Sequence, residues 1–76
     1  MPLIDIHLID GGFDAKQKTR MIKDVTDAIV AIEGEAMRGV TWVRVLEVQG
    51  GHWAIGGQPL KAKDVHAIQR ANAWRR

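Results

Sequence analysis

The chain contains no cysteine, which excludes disulfides and thiolate metal sites together. Histidine does not fill the gap: none of His7, His52 and His66 stands three or four residues from another, as a helical ligand pair would. No stretch approaches the ~20 apolar residues of a membrane span. Nothing ahead of the first strand pattern reads as a signal peptide. A strong excess of one charge is also missing, since the formal net charge is +2 and much of the surplus sits in Arg70, Arg75 and Arg76. A solvated tail explains those arginines better than a nucleic-acid surface does. The expectations are therefore no metal, no cofactor, no nucleic acid and no membrane partner, and a cytoplasmic setting agrees with the lack of cysteine.

What is present is a short chain rich in apolar residues. Seventy-six residues, 1–76, make a single small domain, and 46% of them are hydrophobic, three tryptophans included. A chain of this size buries a limited fraction of its surface when it folds alone. It usually needs a staple, and with disulfide and metal excluded the staple that remains is a second subunit.

The pattern begins at once. Pro2-Leu3-Ile4-Asp5-Ile6-His7-Leu8-Ile9 alternates as a half-buried strand does. Pro2, Ile4, Ile6 and Leu8 share the face expected to meet a helix, while Leu3, Asp5, His7 and Ile9 share the other. Proline is tolerated at the first residue of a strand, where its missing N–H costs no ladder bond. If Met1 is removed, Pro2 also becomes a secondary amine, and a free α-amino group has a pKa of about 7.7 to 8.

Asp10-Gly11-Gly12-Phe13 breaks the alternation with a turn. Asp14 and Gln17 have capping-box spacing, which starts a helix at about Ala15. Met21, Ile22, Val25, Ala28, Ile29 and Ile32 form its apolar stripe, and Gly34 ends it. Glu35 to Gly39 is a connector with room for one helical turn. A second strand follows over about Val40 to Gln49, with Val43 and Val45 on one face and Trp42, Arg44, Leu46 and Val48 on the other. Arg44 thus points away from the helix among apolar neighbours, where an arginine calls for a partner anion.

Strand, helix, strand at these lengths is a β-α-β unit with parallel strands and a right-handed crossover. Its sheet face opposite the helix stays bare unless a second subunit covers it. Gly50-Gly51 and Gly56-Gly57 bracket a short hairpin or edge segment. A C-terminal helix is expected from Pro59 to about Ala71, with Leu60, Val65, Ile68 and Trp74 along its stripe. The fold class is α/β.

Pro2, Ile6-His7, Gly11, the Asp14-capped helix, Val43-Arg44-Val45 and Gly51-His52-Trp53-Ala54-Ile55-Gly56-Gly57 stand in the order and near the spacing of a known family. Over roughly residues 2 to 60 the chain resembles the small-subunit 4-oxalocrotonate tautomerases of the tautomerase superfamily. The resemblance implies that Pro2 is the catalytic amine and that Arg44 binds the carboxylate of an enol or unsaturated keto acid, often from an adjacent subunit. It implies that Trp53 takes the place of the aromatic that walls the site, and that the assembly is a homo-oligomer, in the family usually a hexamer.

One departure stands out, because the family's second arginine just after the turn glycine is replaced by Gly12 and Phe13. A dicarboxylate would lose one of two charge clamps. A monocarboxylate enol, or a more apolar substrate packed against Phe13 and Trp53, is then the better expectation.

Two alternatives follow from the same residues. Relatives that hydrate or dehalogenate unsaturated acids use an additional acid near where this chain has Trp53, and Glu47, the nearest acid along the strand, falls on the valine face. A non-catalytic subunit of a hetero-oligomer would explain the missing arginine but not the retained Pro2 and Arg44. His7 and His52 are expected as interface and solvent histidines rather than as acids.

Overall fold

The computed structural model of the chain describes residues 1–72, so Trp74, Arg75 and Arg76 lie outside the described residues. Strand β1 spans Leu3–Ile9, helix α1 Ala15–Glu33, a 3-10 helix Glu35–Val40, and strand β2 Trp42–Val48. A hairpin of β3 (Trp53–Ile55) and β4 (Gln58–Leu60) follows, then helix α2 (Ala62–Asn72). β1 and β2 pair directly as one two-stranded sheet. The Trp42 N–H donates to the Pro2 carbonyl (3.0 Å) at one end and the Asp10 N–H to the Val48 carbonyl (2.8 Å) at the other. Both strands therefore run the same way, as the expected parallel β-α-β unit requires.

Contacts divide the chain into two compact units: Met1–Ile6 with Asp14–Leu46, and His7–Phe13 with the chain from Glu47 onward. In the first, α1 begins as its sequence directs. The Asp14 carboxylate accepts the Gln17 N–H (2.8 Å) and the Gln17 amide oxygen accepts the Asp14 N–H (2.9 Å), so two orphan donors of the first turn are satisfied reciprocally. At the other end Gly34, at φ 106°, donates its N–H to the Val30 carbonyl (2.8 Å). That left-handed backbone is open to glycine without steric cost.

The stripe that α1 covers differs from the one its spacing predicts. Val30 is 4% exposed although it lies off the expected stripe, while Ile32, on that stripe, is 85% exposed. The 3-10 helix meets α1 at Asp27 and Glu33, the positions three residues before and after Val30. Arg38 bridges Asp27 of α1 (2.9 Å) and Glu35 (2.9 Å), and the Thr41 hydroxyl reaches both the Met37 carbonyl (2.8 Å) and the Glu33 carboxylate. These contacts add cover on the Val30 side, which periodicity alone cannot register. The same turn absorbs Val40, so β2 starts at Trp42.

Along β1, Ile4 and Ile6 are half-buried and Leu3, Asp5 and His7 exposed; along β2, Val43 and Val45 are half-buried and Trp42 and Arg44 exposed. Through Ile6 and Val45 the covered positions are those expected to face α1, whereas Ile9, expected on the opposite face, is buried at 6% exposure. Past Val45 the alternation gives way, with Leu46 half-buried and Glu47 exposed.

The second unit corrects one expectation. Pro59 does not open the last helix; it lies in β4, opposite Ala54, in the register Trp53↔Leu60, Ala54↔Pro59, Ile55↔Gln58. Gly56 and Gly57 both have positive φ (56° and 82°), the two-residue turn that suits the twist of a hairpin. The pair beside such a turn is hydrogen-bonded, so the next, Ala54 with Pro59, is not. Proline's missing N–H therefore costs nothing there. The helix starts three residues later, where the Asp64 carboxylate accepts the Lys61 N–H (2.8 Å).

Candidate active site

Pro2 sits half-buried just ahead of β1, tied to β2 by the hydrogen bond its carbonyl accepts from Trp42. Its nitrogen is acylated by Met1, itself 77% exposed. Strand parity assigns the Pro2 ring to the face of Ile4 and Ile6, and Arg44 to the opposite, exposed face. By that parity one copy of the chain carries Arg44 on β2 and Pro2 just ahead of β1, on opposite sides of the sheet.

Arg44 has the partner anion that its surroundings demand. Its Nε donates to Asp5 Oδ1 (2.8 Å) and its Nη2 to Asp5 Oδ2 (2.9 Å), a bidentate pair across the two strands. The hydrogen bonding to Asp5, and then the charge of Asp5, raise the Arg44 pKa above the ordinary arginine value. The guanidinium stays charged. Nothing in the linear spacing announces this pair, which joins residues 39 apart in sequence. The usable signal is that Asp5 and Arg44 both fall on the outward parity of adjacent parallel strands.

Phe13 and Trp53 belong to the second unit, both half-buried: Phe13 in the turn after β1, Trp53 in β3 opposite Leu60. The turn is also tightly packed at Gly12. Gly12 is buried, and a Cβ there would lie 3.1 Å from the Ile9 carbonyl oxygen and 3.3 Å from Cγ1 of Val65 in α2. Its neighbour Gly11 stands similarly close to Ala62, at 3.3 Å from a would-be Cβ. Helix α2 packs where a longer side chain would need room.

The remaining polar residues are placed otherwise. His7, His52 and His66 are exposed, and among the described residues no three potential ligands cluster to hold a metal ion. A shallow depression along α1, lined by Ala15, Lys16, Thr19, Arg20 and Lys23, includes none of the four expected site residues. Arg20 and Lys23 are paired there with Asp24 (3.1 Å) and Asp27 (2.7 Å), so Arg20 is engaged on its own helix. Among the described residues no helix is long and apolar enough to cross a membrane.

Compared with known families, residues 2–63 match the family described as tautomerase enzyme. The chain belongs to the tautomerase family. The match opens on Pro2, takes in the strand with Arg44 and the hairpin with Trp53, and stops in the first turn of α2. At that level this tautomerase is an isomerase-type enzyme. Comparison with curated proteins gave no match.

Proposed function

We propose that the chain, once Met1 is removed, is a keto–enol tautomerase with Pro2 as its proton carrier and Arg44 as its carboxylate and enolate anchor. The observation that carries this reading is a family match that begins at Pro2 itself and runs through Arg44. In ketonisation the secondary amine takes the hydroxyl proton of an enol acid and delivers it to carbon, and the C=O forms as the O–H bond breaks. A carrier of near-neutral pKa suits both halves of that transfer. The oxygen holds negative charge in between, and a fixed guanidinium meets it.

Because Arg44 and the Pro2 ring lie on opposite faces in one copy, the reading requires a homo-oligomer in which Arg44 of one copy serves Pro2 of another. A hexamer, as in the resembling relatives, is the assembly proposed. The bare face supports association, since Leu3 and Trp42 beside Asp5 and Arg44 are 53% and 54% exposed. Trp53 and Phe13 are proposed as apolar walls against the substrate. With Gly12 packed in place of a second cation, a monocarboxylate enol is the favoured substrate class.

The test begins with the intact mass of the purified protein, which must lack Met1. Pro2→Ala should then lower phenylenolpyruvate ketonisation by about 10²- to 10⁴-fold, the range of general acid–base catalysis. Undiminished turnover by the variant would remove Pro2 from the mechanism. A second reading, a non-catalytic subunit of a hetero-oligomer, draws on the Val65 packing at Gly12. Absence of any rate above buffer in the Met1-free wild type would favour it.

A further inference from the structure

We infer that Asp5 is a specificity-determining residue that positions Arg44 and biases the site against doubly charged acids. The inference rests on the proposed role of Arg44 as carboxylate anchor, and it concerns a residue on which that proposal does not depend.

Asp5 holds one edge of the guanidinium, through Nε and Nη2, at 2.8 and 2.9 Å. A guanidinium has five N–H donors in one plane. Two are taken, so the Nη1 group and the outer N–H of Nη2 present their parallel pair at the far end of the fork. The Arg44 side chain is 53% exposed, which leaves that end open to an incoming anion. Asp5 thereby fixes the plane in which a carboxylate, or a carboxylate oxygen with its neighbouring enolate oxygen, must arrive. A fork already held in place loses less rotamer freedom when it binds.

The same contact has a cost in charge. Guanidinium and carboxylate sit within hydrogen-bond distance, so a ligand approaching the far end meets a pair of zero net charge rather than a lone cation. One carboxylate can still gain two aligned N–H bonds. A second carboxylate on the same ligand gains no comparable contact from this pair and is repelled by Asp5. The missing turn arginine removes one attraction for dianions; Asp5 adds a repulsion, and the two effects are separable by mutation.

The experiment compares kcat/KM for a dicarboxylate enol, 2-hydroxymuconate, with that for a monocarboxylate enol, phenylenolpyruvate. It uses wild type, Asp5→Asn and Asp5→Glu, all free of Met1. Asparagine removes the charge while its amide oxygen can still accept from the fork. D5N should raise the dicarboxylate-to-monocarboxylate ratio about three- to tenfold, mainly through KM. The gain should shrink at high salt because the charges are exposed. D5E should keep the wild-type ratio. If D5N does not fold, Asp5→Thr, neutral and favourable in strands, takes its place with the same expectation.

A ratio unchanged in the folded neutral variant, or equal losses for both substrates, overturns the inference. Those results leave the proline mechanism standing if Pro2→Ala is still inactive. Full activity of Pro2→Ala instead removes the mechanism, whatever the ratio does.

Discussion

The two faces of the β1–β2 sheet are built from the same strands and meet opposite fates. On one, Ile4, Ile6, Val43 and Val45 are half-buried. On the other, Leu3 and Trp42 remain more than half exposed beside the Asp5–Arg44 pair. A helix can cover only one side of a sheet, and a chain this short has no second long helix on the crossover to serve the other. The covered face carries folding, and the bare face carries an arginine, its carboxylate partner and apolar surface suited to another copy. Strand parity thus separates the packed aliphatics from the proposed carboxylate anchor, while Pro2 heads its strand on the covered side.

Charge placed under the covered face gives the largest contrast. Val30→Asp puts an unpaired carboxylate where the side chain is 4% exposed. An uncompensated buried charge costs about 3 to 5 kcal/mol, as much as a core of this size supplies. Thermal melting followed by circular dichroism should lose its cooperative transition, and a retained transition would mean that the region around Val30 opens readily to water.

The same kind of change on the bare face should leave the helical signal and alter the assembly. Trp42→Glu is expected to weaken self-association by about thirtyfold or more, the effect of losing an interface anchor worth ~2 kcal/mol. Native mass spectrometry over a dilution series reads this directly. An unchanged mass distribution would place the subunit contact elsewhere and blur the distinction between the faces.

The smallest effect separates the two sets of ion pairs. Asp27 is held below its ordinary carboxylate pKa of 3.8 by hydrogen bonds from Lys23 and then Arg38, and Glu35 below 4.5 by its hydrogen bond from Arg38. Groups depressed on folding stabilise the folded state above their unfolded values, and that contribution is lost as pH falls through the folded ones. Wild type should therefore lose melting temperature as acid carries it below about pH 4.5. Arg38→Ala should flatten that slope by only about 2 °C, because exposed pairs contribute little. A slope unaltered by the mutation would show that the 3-10 helix is held by packing alone.

Much of this architecture is legible along the chain. The capping box at Asp14 and Gln17, the stop at Gly34, the two strands and the glycine-bracketed hairpin depend on neighbours within a few residues, so spacing reports them. Pro59 was misplaced because it suits both a first helical turn and a non-hydrogen-bonded strand position, and the register of β3 with β4 decides between them. Val30 and Ile32 exchanged places for a related reason: periodicity describes one helix and not what returns alongside it. Of the proposed site, Pro2, Arg44, Trp53 and Phe13 could be named from position and resemblance, whereas Asp5 could not be given a role.

Local sequence thus dictates which elements form, where their caps lie and which residues point to each side, because each of these is settled by backbone geometry over a few positions. Folding in three dimensions adds the rest. It brings Asp5 onto Arg44 across 39 residues and sets Val65 close to Gly12, so that one cation is paired and the turn is crowded. Both outcomes depend on which distant side chains share a face, and contacts of that kind leave no periodic trace in the chain.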